Sequence, residues 1–294
     1  MRLSVVIATK GRPEPLRETL ASLARCRPSP AELVVVDGDP AGSAEPVVEG
    51  AALDGVAVRY EVSPPGLTIQ RNRGMEATSG DIVVFVDDDV EFEPGIFAVL
   101  EEAYGDGSVV GVTGRVVERG ERRFGNKDSA VRRLLFGRGA EGSMSAFGYP
   151  RRLQNLDAAR DVEFMQGCLM TARRSEALRL RFDERLAGYA LAEDEDFSYR
   201  LSRVGRTRYL PAAVVEHKNT GFKTTGTRGF NRMVAVNRAY LFRKNFRRTP
   251  RTRAQFGLLM LMLAAHRAVN GEWEGVRGLA EGSLQAWREG RSAR

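Results

Sequence analysis

The sequence is poor in cysteine: Cys26 and Cys168 are the only two in 294 residues. Neither belongs to a C-x-x-C pair or has a histidine nearby, which argues against a zinc ribbon or a disulfide framework and fits a reducing cytoplasm. Histidine is as scarce, with only His217 and His266. Long apolar runs are missing too. The longest, Phe256 to Ala265, is ten residues, and a helix needs about 20 to cross a bilayer. The run Leu3 to Thr9 is too short for a signal h-region and leads into Lys10, so it reads as a strand and not as a targeting segment. There is no G-x-G-x-x-G after this strand and no G-x-x-x-x-G-K-[ST] anywhere, which disfavours a dinucleotide site and a P-loop. G-x-S-x-G and H-E-x-x-H are also absent, as are internal repeats and low-complexity tracts.

What remains is a chain of globular composition, 43% hydrophobic and 28% charged, which excludes a disordered or collagen-like polymer. Its length suits one α/β unit with an appendage. Charge is unevenly placed: from Lys223 onward there are 15 Lys/Arg against 4 Asp/Glu, and before it 30 against 34. The body is acidic and the tail basic. Such a tail can attract anionic lipid headgroups or nucleic-acid phosphates.

Apolar strands alternate with helical patterns along the body. Residues 3–9, 32–36, 56–62 and 82–86 read as strands, with helices over 13–23 and 69–77 between them. A further strand is expected at 164–171 and a helix at 193–204, with an irregular, Gly- and Arg-rich region over 113–165. This order predicts a mainly parallel sheet with helices on both faces, in which ligands bind beyond the carboxyl ends of the strands. Asp37 and Asp39 follow one strand, Asp87 to Asp89 another, and Thr9 to Arg12 the first, so all should meet on one rim.

Three adjacent aspartates after an apolar strand repel one another unless cations meet them. Either the triplet merely ends the strand, or it holds a hard cation such as Mg2+ or Mn2+. The second cluster, Glu193-Asp194-Glu195-Asp196, opens a helix where the macrodipole welcomes acids, yet it holds more of them than a helix start needs. One of these carboxylates could act as a general base, and Arg200 could orient an acid or bind phosphate. His217 follows a short strand, Ala212 to Val215, and precedes a Lys/Thr/Gly loop, a suitable place for a third metal ligand; His266 lies in an apolar helix and reads as a packing or interfacial residue. Gln166 and Gly167 are candidates for lining a ligand pocket, because close backbone approach needs a small residue.

The ordered set is Ser4-Val5-Val6-Ile7-Ala8-Thr9 with Arg12, then Val34-Val35-Val36-Asp37, Arg71-Asn72-Arg73-Gly74, Gly80 to Asp89, Glu193 to Arg200 and finally His217. It resembles the family 2 glycosyltransferases of the GT-A fold over residues 1–222. The resemblance implies an α/β catalytic domain over 1–222 with a mainly parallel central sheet flanked by helices, followed by a basic helical extension over 223–294. It implies an inverting, metal-dependent transfer of sugar from a nucleotide-sugar donor, UDP- or GDP-linked, to an acceptor hydroxyl in glycan or glycolipid synthesis. Thr9, Arg12 and Asp37 then fall around the nucleotide, Arg71 is a basic position beside it, Asp87 and Asp88 belong to the donor site, Asp89 and His217 hold Mn2+ or Mg2+, Asp194 is the general base, and Glu193 shapes the acceptor site. Lys10-Gly11 departs from the family's usual Tyr-Asn, and Asp39-Pro40 from its small polar continuation.

The basic tail mixes aromatics with Arg, which suits either a helical cap or a membrane surface carrying a lipid-linked acceptor. The competing enzyme reading is a sugar-phosphate nucleotidyltransferase, disfavoured because Ala8 to Arg12 holds one glycine only. No RNP, KH or zinc-finger pattern supports nucleic-acid binding.

Overall fold

The computed structural model describes residues 1–118, 139–153, 156–218 and 226–292. The chain divides into two compact units, Met1–Phe124 with Arg152–Thr220, and Gly125–Arg151 with Gly221–Arg294. The second unit takes in 125–151 besides the C-terminal segment, a stretch that the linear reading left in the first.

The first unit is a sheet sandwiched by helices. Its strands are β1 Leu3–Thr9, β2 Glu32–Asp37, β3 Ala57–Val62, β4 Ile82–Asp87, β5 Val90–Phe92, β6 Val109–Glu118, β7 Arg160–Asp161, β8 Leu169–Arg173 and β9 Arg206–His217. Among the described residues they run in the order β3-β2-β1-β4-β8-β6-β9-β5, with β7 paired to β9. Strands β3, β2, β1 and β4 are mutually parallel, whereas β8 lies antiparallel between β4 and β6. The helices are α1 Pro13–Leu23, α2 Glu45–Glu49, α3 Leu67–Ala77, α4 Ile96–Tyr104, α5 Arg174–Leu180 and α6 Glu193–Ser202.

Alternation along the strands fills two cores. Val5 and Ile7 of β1 join Leu16, Leu20, Phe97 and Leu100 on one face, while Val6 joins Val34, Phe85, Met75 and Phe197 on the other. A parallel sheet covered on both faces must be apolar on both, which explains the unbroken runs Val34-Val35-Val36 and Ile82 to Val86. Helix α3 lies so close to β1 that a Cβ on Gly74 would sit 2.3 Å from Val6 Cγ1.

The strand expected over 164–171 divides differently. Gln166, Gly167 and Cys168 form a turn, and β8 starts at Leu169. In the second unit, α7 Gly226–Asn245, α8 Pro250–Val269 and α9 Trp273–Ser292 follow one another. Among the described residues no helix is long and apolar enough to cross a membrane.

Candidate active site

The register of the parallel strands puts their carboxyl ends side by side, Thr9 opposite Asp37 and Ala8 opposite Asp87. Asp87 closes β4, and Asp88 and Asp89 form the two-residue turn into β5. Burial separates the three. Asp88 faces inward at 3% exposure, accepting from Thr9 Oγ1 at 2.7 Å and pairing with Arg12 Nη1 at 2.8 Å. Asp89 pairs with Arg12 Nη2 at 2.8 Å and His217 Nε2 at 3.1 Å. Asp87 is partly exposed and accepts from Arg71 Nη2 at 3.1 Å.

His217 reaches this turn because β5 runs antiparallel to β9, whose last residue lies opposite Val90. The adjoining Lys218 N–H fastens it by donating to the Asp89 carbonyl at 2.9 Å. Beneath the turn, the Thr19 hydroxyl donates to the Asp88 carbonyl at 2.9 Å and accepts from Val90 N–H at 3.1 Å. One oxygen each from Asp87 and Asp89 and a ring nitrogen of His217 lie within 4.8 Å of one another. Two carboxylates and an imidazole, brought this close, fit a hard cation such as Mn2+ or Mg2+. Asp87 thereby joins the expected Asp89 and His217.

The charges on Asp89 and His217 compensate each other. Burial opposes ionisation of Asp89, but hydrogen bonds from His217 and Arg12 outweigh it and hold its carboxyl well below the usual range. Burial likewise opposes a charge on His217, yet Asp89 and Asp87 raise its pKa. At Asp88 burial prevails over Arg12 and Thr9 and lifts the carboxyl to about 6.

The second cluster opens α6. Glu193 is buried and accepts from Arg71 Nη1 at 2.9 Å. Arg71 is itself 1% exposed, donates a further bond to the Gly167 carbonyl at 2.8 Å, and sits over the Phe182 ring at 5.5 Å. The guanidinium therefore spans both acidic clusters. Neighbouring residues of the same helix hold its surroundings: Gln70 donates to the carbonyls of Thr9 and Val36, and Asn72 exchanges hydrogen bonds with the Phe182 backbone.

Asp194 is partly exposed, accepting from Gly167 N–H at 3.2 Å and Glu195 N–H at 2.8 Å. A Cβ on Gly167 would lie 3.4 Å from both Asp194 Oδ2 and Glu193 Oε1, so anything larger than alanine would press on the pair. Burial and the neighbouring Glu195 raise the Asp194 carboxyl, and burial and Asp194 raise that of Glu193. Arg71 at Glu193 and Arg152 at Asp194 do not offset this as Arg12 and His217 do at Asp89.

Several side chains named from the sequence turn inward. Thr9 spends its hydroxyl on Asp88. Asp37 is fully buried and accepts from Asp39 N–H, Ala44 N–H and Tyr60 OH at 2.8–3.0 Å, so it shapes the loop after β2. Arg200 orients Asp196, at 2.8 Å, and donates to the carbonyls of Leu180 and Arg181; no phosphate-binding role is left for it. Lys218 pairs with Glu18 and Glu91, and the rest of its loop lies outside the described residues, as do 119–138 of the irregular region. Gln166 stays in the turn beside Gly167. His266 is exposed, with Nδ1 3.0 Å from the Asn270 amide, and does not pack in a core.

Sequence reasoning missed the approach to α6. Gly188, Ala190 and Ala192 have φ of +66°, +54° and +72°, so the chain enters the helix through left-handed residues, two of them strained alanines. Tyr189, held between them, is 42% exposed. Its phenol is raised first by burial and then by Glu193, Asp87 and Asp194, with the exposed Arg152 acting in the opposite sense. Nothing in a Tyr-Ala-Leu-Ala stretch announces a left-handed turn, so no local signal could have found it.

Comparison with known proteins agrees with this geometry. The family model described as glycosyl transferase family 2 matches residues 4–177. A relative from Haloferax volcanii, a glucosyl-dolichyl phosphate glucuronosyltransferase, is 32% identical over 121 residues, covering 40% of this chain and 39% of that protein. The match thus takes in well under half the relative's length. Among solved structures, S. aureus TarS aligns with a TM-score of 0.56 at 18% identity, over 91% of this chain and 44% of that one. The mannosyltransferase PcManGT from Pyrobaculum calidifontis, solved in complex with GDP-Man and Mn2+, aligns with a TM-score of 0.58 at 14% identity, over 97% and 87%. At such identities these structures speak for the fold, which is of the GT-A type. Because the matched segment takes in more than half of its residues, the chain belongs to glycosyl transferase family 2.

Proposed function

We propose that this protein is an inverting glycosyltransferase that moves a sugar from a nucleotide-sugar donor to an acceptor hydroxyl, with Asp194 as general base. The observation that carries the reading is the pair of acidic clusters at one sheet edge, joined by Arg71, with Asp89 held ionised in one and Asp194 raised in the other. Asp87, Asp89 and His217 form the cation-holding set of the donor site. Bound there, Mn2+ or Mg2+ would supply positive charge to the diphosphate.

The remaining chemistry belongs to the chain. Gly167 N–H and Glu195 N–H hold the Asp194 carboxylate in one orientation. Asp194 takes the proton of the acceptor hydroxyl as that oxygen bonds to the anomeric carbon. The bond from this carbon to the diphosphate oxygen breaks on the opposite side, and the nucleoside diphosphate leaves with the electron pair. The configuration inverts. A base with a raised pKa is better matched to a hydroxyl proton than an ordinary carboxylate. Arg71 fixes Glu193 and the Gly167 turn, while Thr9, Arg12, Asp37 and Asp88 brace the donor rim and Gln166 and Gly167 border the sugar pocket. Tyr189 and Arg152 flank the acceptor side.

The Haloferax relative is named for an acceptor that is a lipid-phosphate sugar, and PcManGT was solved with a GDP-linked donor. These support a GDP-linked donor and a lipid-linked acceptor.

Thermal unfolding against UDP, GDP, dTDP, CMP and ADP, each with and without Mn2+ or Mg2+, tests the reading. A ligand at a hundredfold excess over Kd stabilises the folded state by about 2.7 kcal/mol. A cation-dependent shift for one diphosphate is expected. A shift with nucleoside triphosphates alone would instead point to a sugar-phosphate nucleotidyltransferase.

A further inference from the structure

Helix α8 is apolar on the side it buries and on the side it exposes. On its inner side Leu259 is buried, and Phe256 and Leu263 pack with Phe147 and Phe242, the rings of Phe242 and Phe256 stacking at 4.8 Å. The helix start is equally well made, with Pro250 in the first turn and a reciprocal cap between Thr249 and Thr252. These contacts anchor the helix in its own unit and set which side faces out.

The outward side carries Ala254, Leu258, Leu261, Ala265 and Val269 at helical spacing. Leu261 is 68% exposed and Val269 86%. Trp273, which opens α9 just beyond the next turn, is 62% exposed, and Leu284 and Trp287 of α9 are also exposed. A contiguous exposed apolar stripe of this kind marks a surface that meets an apolar partner.

Charge identifies the partner. Arg247, Arg248, Arg251 and Arg253, all exposed, cluster at the start of the stripe. From His217 to Gly271 the sequence has no Asp or Glu at all. An apolar stripe with arginines at one end and a tryptophan at the other matches the layered chemistry of an anionic bilayer surface: acyl chains for leucines, phosphates for arginines, and the headgroup boundary for the indole. A nucleic acid would use the arginines and leave Leu258 and Leu261 in water.

We infer that the exposed face of α8, with Trp273, docks flat on an anionic lipid surface, Leu258 and Leu261 entering the acyl boundary and the arginines at 247–253 meeting lipid phosphates. This inference specifies the membrane partner of the proposed function but does not depend on the transfer chemistry, because binding is read without donor or acceptor.

Cosedimentation of the full chain with phosphatidylcholine vesicles, with and without phosphatidylglycerol, tests it. Binding is expected only with phosphatidylglycerol and should weaken with salt. Leu261→Glu and Leu258→Glu, at exposed positions and with the fold checked by circular dichroism, should each lower partitioning roughly tenfold. Arg251→Glu with Arg253→Glu should abolish the preference for phosphatidylglycerol. No binding to either vesicle, or binding indifferent to the two leucine variants, overturns the inference. A dimer seen by light scattering that Leu261→Glu dissolves, without vesicle binding, would assign the face to a second copy and overturn it too, as would RNA binding insensitive to both leucines. Vesicle binding by a protein that no nucleoside diphosphate stabilises would leave this inference standing and remove the transferase reading.

Discussion

The two acidic clusters of the sheet edge are made of the same kinds of side chain and differ in how their charge is met. Around Asp87 to Asp89, Arg12 and His217 lie within 3.1 Å of Asp89 and depress its pKa. Around Glu193 and Asp194 the buried guanidinium of Arg71, already shared with Asp87, pairs with Glu193, the exposed Arg152 acts on Asp194, and the carboxyls are still raised. A carboxylate that stays ionised suits a cation ligand, and one that gains a proton readily suits a base. Divergent environments of neighbouring acids assign their roles better than residue type does.

The comparison can be broken at either cluster. The largest effect is expected at the proposed base: Asp194→Asn keeps the side chain's shape but cannot take a proton, so transfer should fall about 10³-fold or more. Nucleotide affinity, measured by calorimetry, should stay near wild type, and retained turnover would move the base elsewhere. Next comes the ligand cluster. Asp89→Ala should remove the added stabilisation that Mn2+ gives a bound nucleoside diphosphate, which can reach about 2.7 kcal/mol at a hundredfold excess. If Mn2+ acts equally on both proteins, the cation is held by other groups.

The pH profile sharpens the contrast. Because the folded environment raises the Asp194 pKa, the base is lost as pH falls through a value above the ordinary carboxylate range. The acidic limb of transfer should therefore lie above that range. Glu195→Gln, which takes away the neighbouring acid that raises Asp194, should shift the limb to lower pH.

The smallest effect concerns stability. A native carboxyl with a raised pKa binds protons more tightly than the unfolded chain does, so its contribution is fully present below the unfolded value and is lost as pH rises through the folded one. At neutral pH Asp194→Asn should thus stabilise the protein, by about 1 kcal/mol, typical of relieving an active-site strain. The gain in melting temperature should vanish below about pH 4.

Much of this was legible in the chain itself. The strands at 3–9, 32–37 and 82–87 are buried on both faces, so their apolar runs are unbroken and end where the acids begin. Asp87 to Asp89, Asp194 and His217 stood out because charge or imidazole at the end of such a strand, or crowded at a helix start, demands a partner. The second half of the sheet was harder to read. β6, the short β5 and β7, and the full length of β9 depend on pairings between distant segments, and β8 is shorter than its apolar run because the Gln166-Gly167-Cys168 turn is bound by Arg71 and Asp194. Arg71 looked from the sequence like a basic group for the diphosphate. Only the fold reveals that it is fully buried and divided between Asp87, Glu193 and the Gly167 carbonyl.

By itself the sequence determined the alternation of strand and helix, the edge at which the acids gather, and the division between an acidic body and a basic tail, because periodicity and composition are local. The tertiary structure decided which acids are compensated. A pKa depends on burial and on charges brought from far along the chain, as when β9 carries His217 to Asp89. It also decided which side of α8 is left exposed, since a helix with apolar residues on more than one side has no preferred face until Phe147 and Phe242 cover one of them.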